Sequence, residues 1–200
     1  EAMAHLQDRF ARFGRRSEQP ALTLAWAWRE LEQPSRARAV LQEAARLRPD
    51  DGLLRLRSAS LLASLGQNQE ADRLLEAARG KVRENDWLRA AAALAELRLD
   101  TAAALRWARE ILRVEPLALD AHCGVARALA RLEGMASAQA HLKAACERFP
   151  QHYGLQRTLV EWLREGDPAQ QEEAIRALLR VAPSDAWARR ELAIVLTNSG

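Results

Sequence analysis

Apolar residues along this chain fall in short runs rich in Ala, Leu and Arg, with the apolar positions three or four apart. That spacing puts them on one face of a helix and predicts a series of short amphipathic helices. Four runs end at a proline in similar context: ARLRP at Pro49, LRVEP at Pro116, ERFP at Pro150 and LRVAP at Pro183. Proline lacks an N–H and restricts the residue before it, so each is a helix stop. The four lie 67, 34 and 33 residues apart. The first interval is about twice the others, so a unit of about 34 residues is also expected to end near Arg83, without its proline.

The interior of each unit repeats as well. With the proline at position 32, positions 8, 11, 20, 24 and 27 of the first unit are Ala25, Trp28, Ala37, Leu41 and Ala44. In the second they are Ala59, Leu62, Ala71, Leu75 and Ala78, with Gly66 in the turn between. The third has Ala92, Ala95, Ala104, Ala108 and Ile111; the fourth has Ala126, Leu129, Ala138, Leu142 and Ala145, with Gly134 in its turn. Small residues stand at 8 and 20 in all four, and larger apolar residues usually stand at 11 and 24.

This pattern resembles the tetratricopeptide repeat (TPR) family, and the resemblance covers most of the chain. It implies an all-α fold, a right-handed superhelical solenoid of antiparallel helix pairs A and B. Small residues at 8 and 20 let the helices approach, and stacking neighbours bury what one hairpin cannot. The expected organisation is a single array over 1–200: residues 1–15 as a partial repeat or capping helix, repeats at 16–49, 50–83, 84–116, 117–150 and 151–183, and a partial repeat at 184–200. Residues from His5-Leu6 to Phe13 form the first helix, ended by Gly14.

Three departures carry their own expectations. The third unit has Leu99-Asp100-Thr101 in place of a turn glycine, with Asp100 or Thr101 capping its helix B. The fifth has Leu159 and Gln171 at the small positions; EGDPAQQEEA reads as a lengthened turn, with Ala174 in the role of position 20 and a helix B about one turn short. In the sixth, Glu191 falls at position 8, and a two-residue slip would bring Leu192-Ala193 there instead.

Composition narrows the function classes. The 200 residues are 48% hydrophobic and 28% charged, as in an ordinary folded domain. Val, Ile and Thr are scarce, which leaves little to build a sheet from. The Ala/Arg/Leu bias suggests a GC-rich bacterial source. Net charge is +3 and the isoelectric point about 9.4, but Arg is interleaved with Glu and Asp along the chain rather than gathered into a basic stripe, and no nucleic-acid partner is expected. Cys123 and Cys146 make no disulfide framework. No apolar stretch reaches the roughly 18 residues of a membrane span. The chain starts at Glu1 and stops within a repeat, and so reads as an excised piece; a cytoplasmic place is expected, a periplasmic one if the parent chain is exported.

Catalytic and metal sites are not expected. His5, His122, His141 and His152 make no ligand-spaced pair, and they read as partly exposed histidines beside small buried thiols. There is no P-loop, dinucleotide fingerprint or nucleophile elbow. Asp50-Asp51 and Glu172-Glu173 read as helix-dipole partners at turns or helix starts. No cofactor follows from these residues, and the chain is read as no enzyme.

The resemblance implies a partner groove lined by helix A. Carried over by position, it contains Trp26, Arg29, Arg57, Arg89, Arg127, Arg131, Arg157, Arg164 and Arg189, together with Leu22, Glu30, Cys123, Tyr153 and Gln156. Arg forks suit carboxylates, and an exposed Trp suits an anchoring role, so a protein or peptide partner with an acidic segment is expected. The opposing reading pairs these arginines with Glu30, Glu96 and other local acids. Trp28 and Trp162 belong to the core, and Trp87, Trp107 and Trp187 to structure. The chain is expected to be a protein–protein interaction scaffold. A recognition module of a larger enzyme or of an envelope polysaccharide-export protein is the alternative, with an RNA-binding helical repeat third. Oligomerisation through the array ends is also open.

Overall fold

The computed structural model describes residues 1–198, and over these the chain is helical, with no strand among the described residues. Twelve helices follow in order: α1 (Ala2–Phe13), α2 (Gln19–Glu30), α3 (Pro34–Leu47), α4 (Gly52–Ser64), α5 (Asn68–Ala78), α6 (Glu84–Leu97), α7 (Thr101–Val114), α8 (Leu119–Leu132), α9 (Met135–Arg148), α10 (Tyr153–Trp162), α11 (Pro168–Val181) and α12 (Ala186–Asn198). They divide into two compact units, Glu1–Asp100 and Thr101–Gly200. The expected third repeat therefore contributes α6 to the first unit and α7 to the second.

All seven prolines bound helices. Pro20, Pro34 and Pro168 occupy first-turn positions, where a missing N–H costs nothing. Pro49, Pro116, Pro150 and Pro183 follow α3, α7, α9 and α11. Four of the turns from helix A to helix B hold a residue at positive φ. Glu32, Gly66, Leu99 and Gly134 all have positive φ, at 56°, 75°, 58° and 99°. In the first three turns the next residue's N–H reaches back five residues, from Gln33 to Trp28, Gln67 to Leu62 and Asp100 to Ala95, which is the Schellman closure of a helix. α7 begins at Thr101.

In the first unit α2 packs on α1, α3 and α4, and α4 packs in turn on α3, α5 and α6. Its core contains Leu24, Ala25, Trp28, Ala37, Leu41, Ala59, Leu62 and Ala71, so both small positions of its two complete repeats are buried. Met3, Leu6 and Phe10 of α1 lie against that core. Gly14 closes α1, as expected. In the third repeat Ala91, not Ala92, is the more buried alanine.

The second unit repeats the scheme: α8 packs on α7, α9 and α10, α10 on α9 and α11, and α11 on α12. One core runs from Leu105 and Ala108 through Ala126, Ala138 and Leu142 to Ile175, Leu178 and Val195. Two expectations are corrected here. α11 is a full 14 residues, and it is α10 that is short, at 10. Asp167 accepts the Ala169 N–H and Pro168 opens the helix, so the polar QQEE run is helical from its start. In α12 there is no slip: Ala188, Glu191 and Val195 are buried and Ala193 is exposed.

The candidate partner face

Helix stops also anchor the next helix. The carbonyls of Pro49, Pro116, Pro150 and Pro183 each accept a hydrogen bond from the side chain six residues on: Arg55, His122, Gln156 and Arg189. A carbonyl at a helix end has no intrahelical partner, and these donors satisfy it. Arg189, placed in the groove by position, is therefore engaged at 2.9 Å with the backbone. Gln156, placed there as well, is buried and points instead to Pro150.

In the first unit Trp26 of α2 is 52% exposed, with the Arg29 guanidinium 5.9 Å from its ring centroid. Arg29 also donates from Nε to Glu30 at 3.0 Å. Arg57 of α4 lies 3.6 Å from Glu18, which Arg48 approaches as well. Arg48 is held in turn by Asp51, the N-cap of α4. Burial acts to raise the Asp51 carboxyl, but the Leu54 N–H and Arg48 outweigh it and hold its pKa below the ordinary aspartate value. Arg89 on α6 is half-buried and has interactions of its own.

The second unit holds the denser arrangement. Tyr153, Arg157 and Glu161 recur at helical spacing along one side of α10, and Arg164 follows in the turn after it. The Tyr153 hydroxyl donates to Asp185, just before α12, at 2.6 Å, and accepts from Arg157 at 3.1 Å. These contacts hold the Asp185 carboxyl below the ordinary aspartate pKa, the Tyr153 hydroxyl first among them. Arg157 also donates to Glu161. The Trp187 ring of α12 has the Arg157 guanidinium 4.5 Å and the Arg164 guanidinium 5.5 Å from its centroid. Arg164 binds Glu191 with two N–H groups, at 2.9 and 3.2 Å. Glu191 is only 5% exposed and also meets Arg190. A carboxylate can stand at this small, buried position because Arg164 brings it a charge partner.

Arg127 and Arg131 of α8 are exposed. Arg127 has interactions of its own; Arg131 makes no side-chain hydrogen bond or ion pair among the described residues. The arginines thus follow both readings: Arg29, Arg57, Arg157 and Arg164 have local acids, and Arg131 does not.

Among the histidines, His122 is buried and meets His141 across α8 and α9, contrary to the expectation of partly exposed, separate rings. The Pro116 carbonyl can only accept, so His122 Nε2–H donates to it at 3.0 Å, and His122 Nδ1 accepts from His141 Nε2–H at 3.2 Å. Burial, then His122 and Arg109, push the His141 pKa down to about 4. Burial likewise lowers that of His122, and raises the Cys146 thiol to about 11, where it is a neutral apolar surface. Among the described residues no group of three His, Cys, Asp or Glu could hold a metal ion, and no helix is long and apolar enough to cross a membrane.

No protein-family model and no curated protein matches the chain. Solved structures do. The type IV pilus biogenesis factor PilW aligns with 98% of this chain and 89% of its own, at a TM-score of 0.58 and 16% identity. The Cut9–Hcn1 hetero-tetramer of APC/C aligns over 98% of this chain at a TM-score of 0.54 and 14% identity, and this chain spans only 39% of the chain it matches. TTC0263, a thermophilic TPR protein of Thermus thermophilus, aligns over 90% of this chain and 100% of its own, at a TM-score of 0.51 and 20% identity. Identities this low carry the fold and nothing finer: this chain has a TPR-type helical repeat fold.

Proposed function

We propose that the chain is a protein–protein interaction scaffold whose helix A faces dock a segment of a partner protein. The observation that carries this is the patch of Tyr153, Arg157, Trp187 and Arg164 joining α10 to α12. Aromatic and Arg side chains dominate binding energy at interfaces, and they do so best when held rigid before the partner arrives. Asp185 and Glu191 supply that rigidity. The finer reading is an acidic partner segment, with its carboxylates on Arg127 and Arg131, one turn apart on α8.

Two double variants separate the coarse and the fine reading in affinity capture from the source lysate. Loss of a captured protein in Tyr153→Ala/Arg157→Ala supports the patch. Loss in Arg127→Glu/Arg131→Glu as well supports the acidic segment. Retention only in the second variant removes the acidic reading, and retention in both overturns the helix A face as the docking surface.

A further inference from the structure

The second unit has another open face. α9 and α11 both pack on α10, and a groove of about 550 Å³ lies between them. Leu159 and Leu163 of α10 and the neutral thiol of Cys146 form an apolar base, and Ala140 and Ala177 keep the walls low. Lys143 and Glu147 on α9, and Glu173 and Arg180 on α11, line the rim. All four are exposed, and none makes a side-chain ion pair or hydrogen bond among the described residues.

In the first unit an ion pair links the corresponding helices. There α3 and α5 stand on α4 in the same way, and Arg38 of α3 reaches Glu70 of α5 at 2.8 Å. Arg38 follows the small residue Ala37, and Glu70 precedes Ala71. By their place in the helices, the counterparts of Arg38 and Glu70 in α9 and α11 are Gln139 and Gln170. Gln139 turns its amide to the base of the groove and donates to the Trp162 carbonyl at 2.9 Å. Among the described residues no ion pair links α9 to α11.

We propose that the groove between α9 and α11 binds an amphipathic helix of a partner protein, with its apolar stripe on Leu159 and Leu163, basic residues toward Glu147 and Glu173, and acidic residues toward Lys143 and Arg180. The wall from Ala136 to Glu147 is about 16 Å long at helical rise, the length of a three-turn helix. Helices bind grooves through apolar residues at i, i+3, i+4 and i+7, and flanking charges fix their direction. Rim charges of both signs suit a helix with two charged edges. A lipid-like acid would face two carboxylates, and so would a nucleic acid. This surface is separate from the helix A face: on α10 and the turn after it, Leu159 and Leu163 enter the groove, whereas Arg157 and Arg164 engage Trp187.

The test is selection of a displayed library of short helices with a fixed leucine stripe and randomised flanks, with a shuffled library of the same composition beside it. Enriched peptides are then titrated against the folded chain. The expected result is enrichment of helices with one basic and one acidic edge. Their affinity falls at least about tenfold in Gln139→Arg, which puts a long cationic side chain into the groove, and in Ala177→Trp, which fills it. Binding is unchanged in Arg131→Glu, so this result stands or falls apart from the helix A reading. Circular dichroism melts establish that each variant is folded; should Ala177→Trp not fold, the surface change Gln139→Arg decides alone. No enrichment over the shuffled library overturns the proposal, as does binding undiminished by Gln139→Arg. Selection of this chain's own helical sequences, with dimers in sedimentation, would replace the partner helix with a second copy.

Discussion

Glu32 and Leu99 hold left-handed φ values that Gly66 and Gly134 adopt in the matching turns. A side chain in that region costs about 1–2 kcal/mol, and glycine gives back part of this gain through its freer unfolded chain. Leu99 is 77% exposed, so its removal loses little packing. Leu99→Gly is expected to raise stability by up to about 1 kcal/mol, read as a higher urea midpoint at unchanged slope. A lower midpoint would mean that packing by Leu99 outweighs its backbone strain. At this scale the repeat pattern was readable where a position needs only size: Ala25, Ala37, Ala59, Ala71, Ala126 and Ala138 are all fully buried. It was not readable at Glu191, because the partner that permits its burial, Arg164, lies 27 residues away in the turn after α10. The side chains that satisfy the proline carbonyls escaped for a related reason. Their spacing is constant, but Arg, His and Gln share only the ability to donate.

Between elements, the buried contacts are polar as well as apolar, and the His122–His141 pair is the clearest case. It ties α8 to α9 and, through Pro116, to the end of the preceding turn. The folded His141 pKa of about 4 lies below the ordinary histidine value of 6.5. The unfolded chain therefore takes up a proton in this window that the native chain refuses. Stability is full above about pH 6.5, and falls as pH drops toward about 4. With His141 half-buried and partly screened, the loss is about 2 kcal/mol. Urea midpoints from about pH 7 to about pH 4.5 should fall in the wild type and stay flatter in His141→Leu, from a lower starting stability. Parallel curves would assign the acid sensitivity to other groups, such as Asp51, whose pKa is depressed and whose contribution is lost as pH falls further still. Helix lengths were the weaker part of the sequence reading. The shortening expected in α11 falls in α10, because Asp167 and Pro168 start a helix where a polar run reads as loop.

Across the whole chain, the two units have separate cores, one centred on Leu41 and Leu62 and the other on Leu142 and Ile175. In a stacked-hairpin protein each helix pair is stabilised by its immediate neighbours, so a defect should be felt locally and fade along the chain. Leu142 has no exposed surface and lies among residues from α8 to α11. Leu142→Ala should cost about 2–5 kcal/mol through the cavity it leaves. Native-state hydrogen exchange is the appropriate measurement, because it reports opening region by region. The amides of α8 to α11 should exchange faster in the variant, and those of α2 to α4 should keep their wild-type rates. Equal acceleration in both units would show that the chain opens as one cooperative body. Local opening would let either partner face in the second unit be occupied, or lost, without unfolding the first.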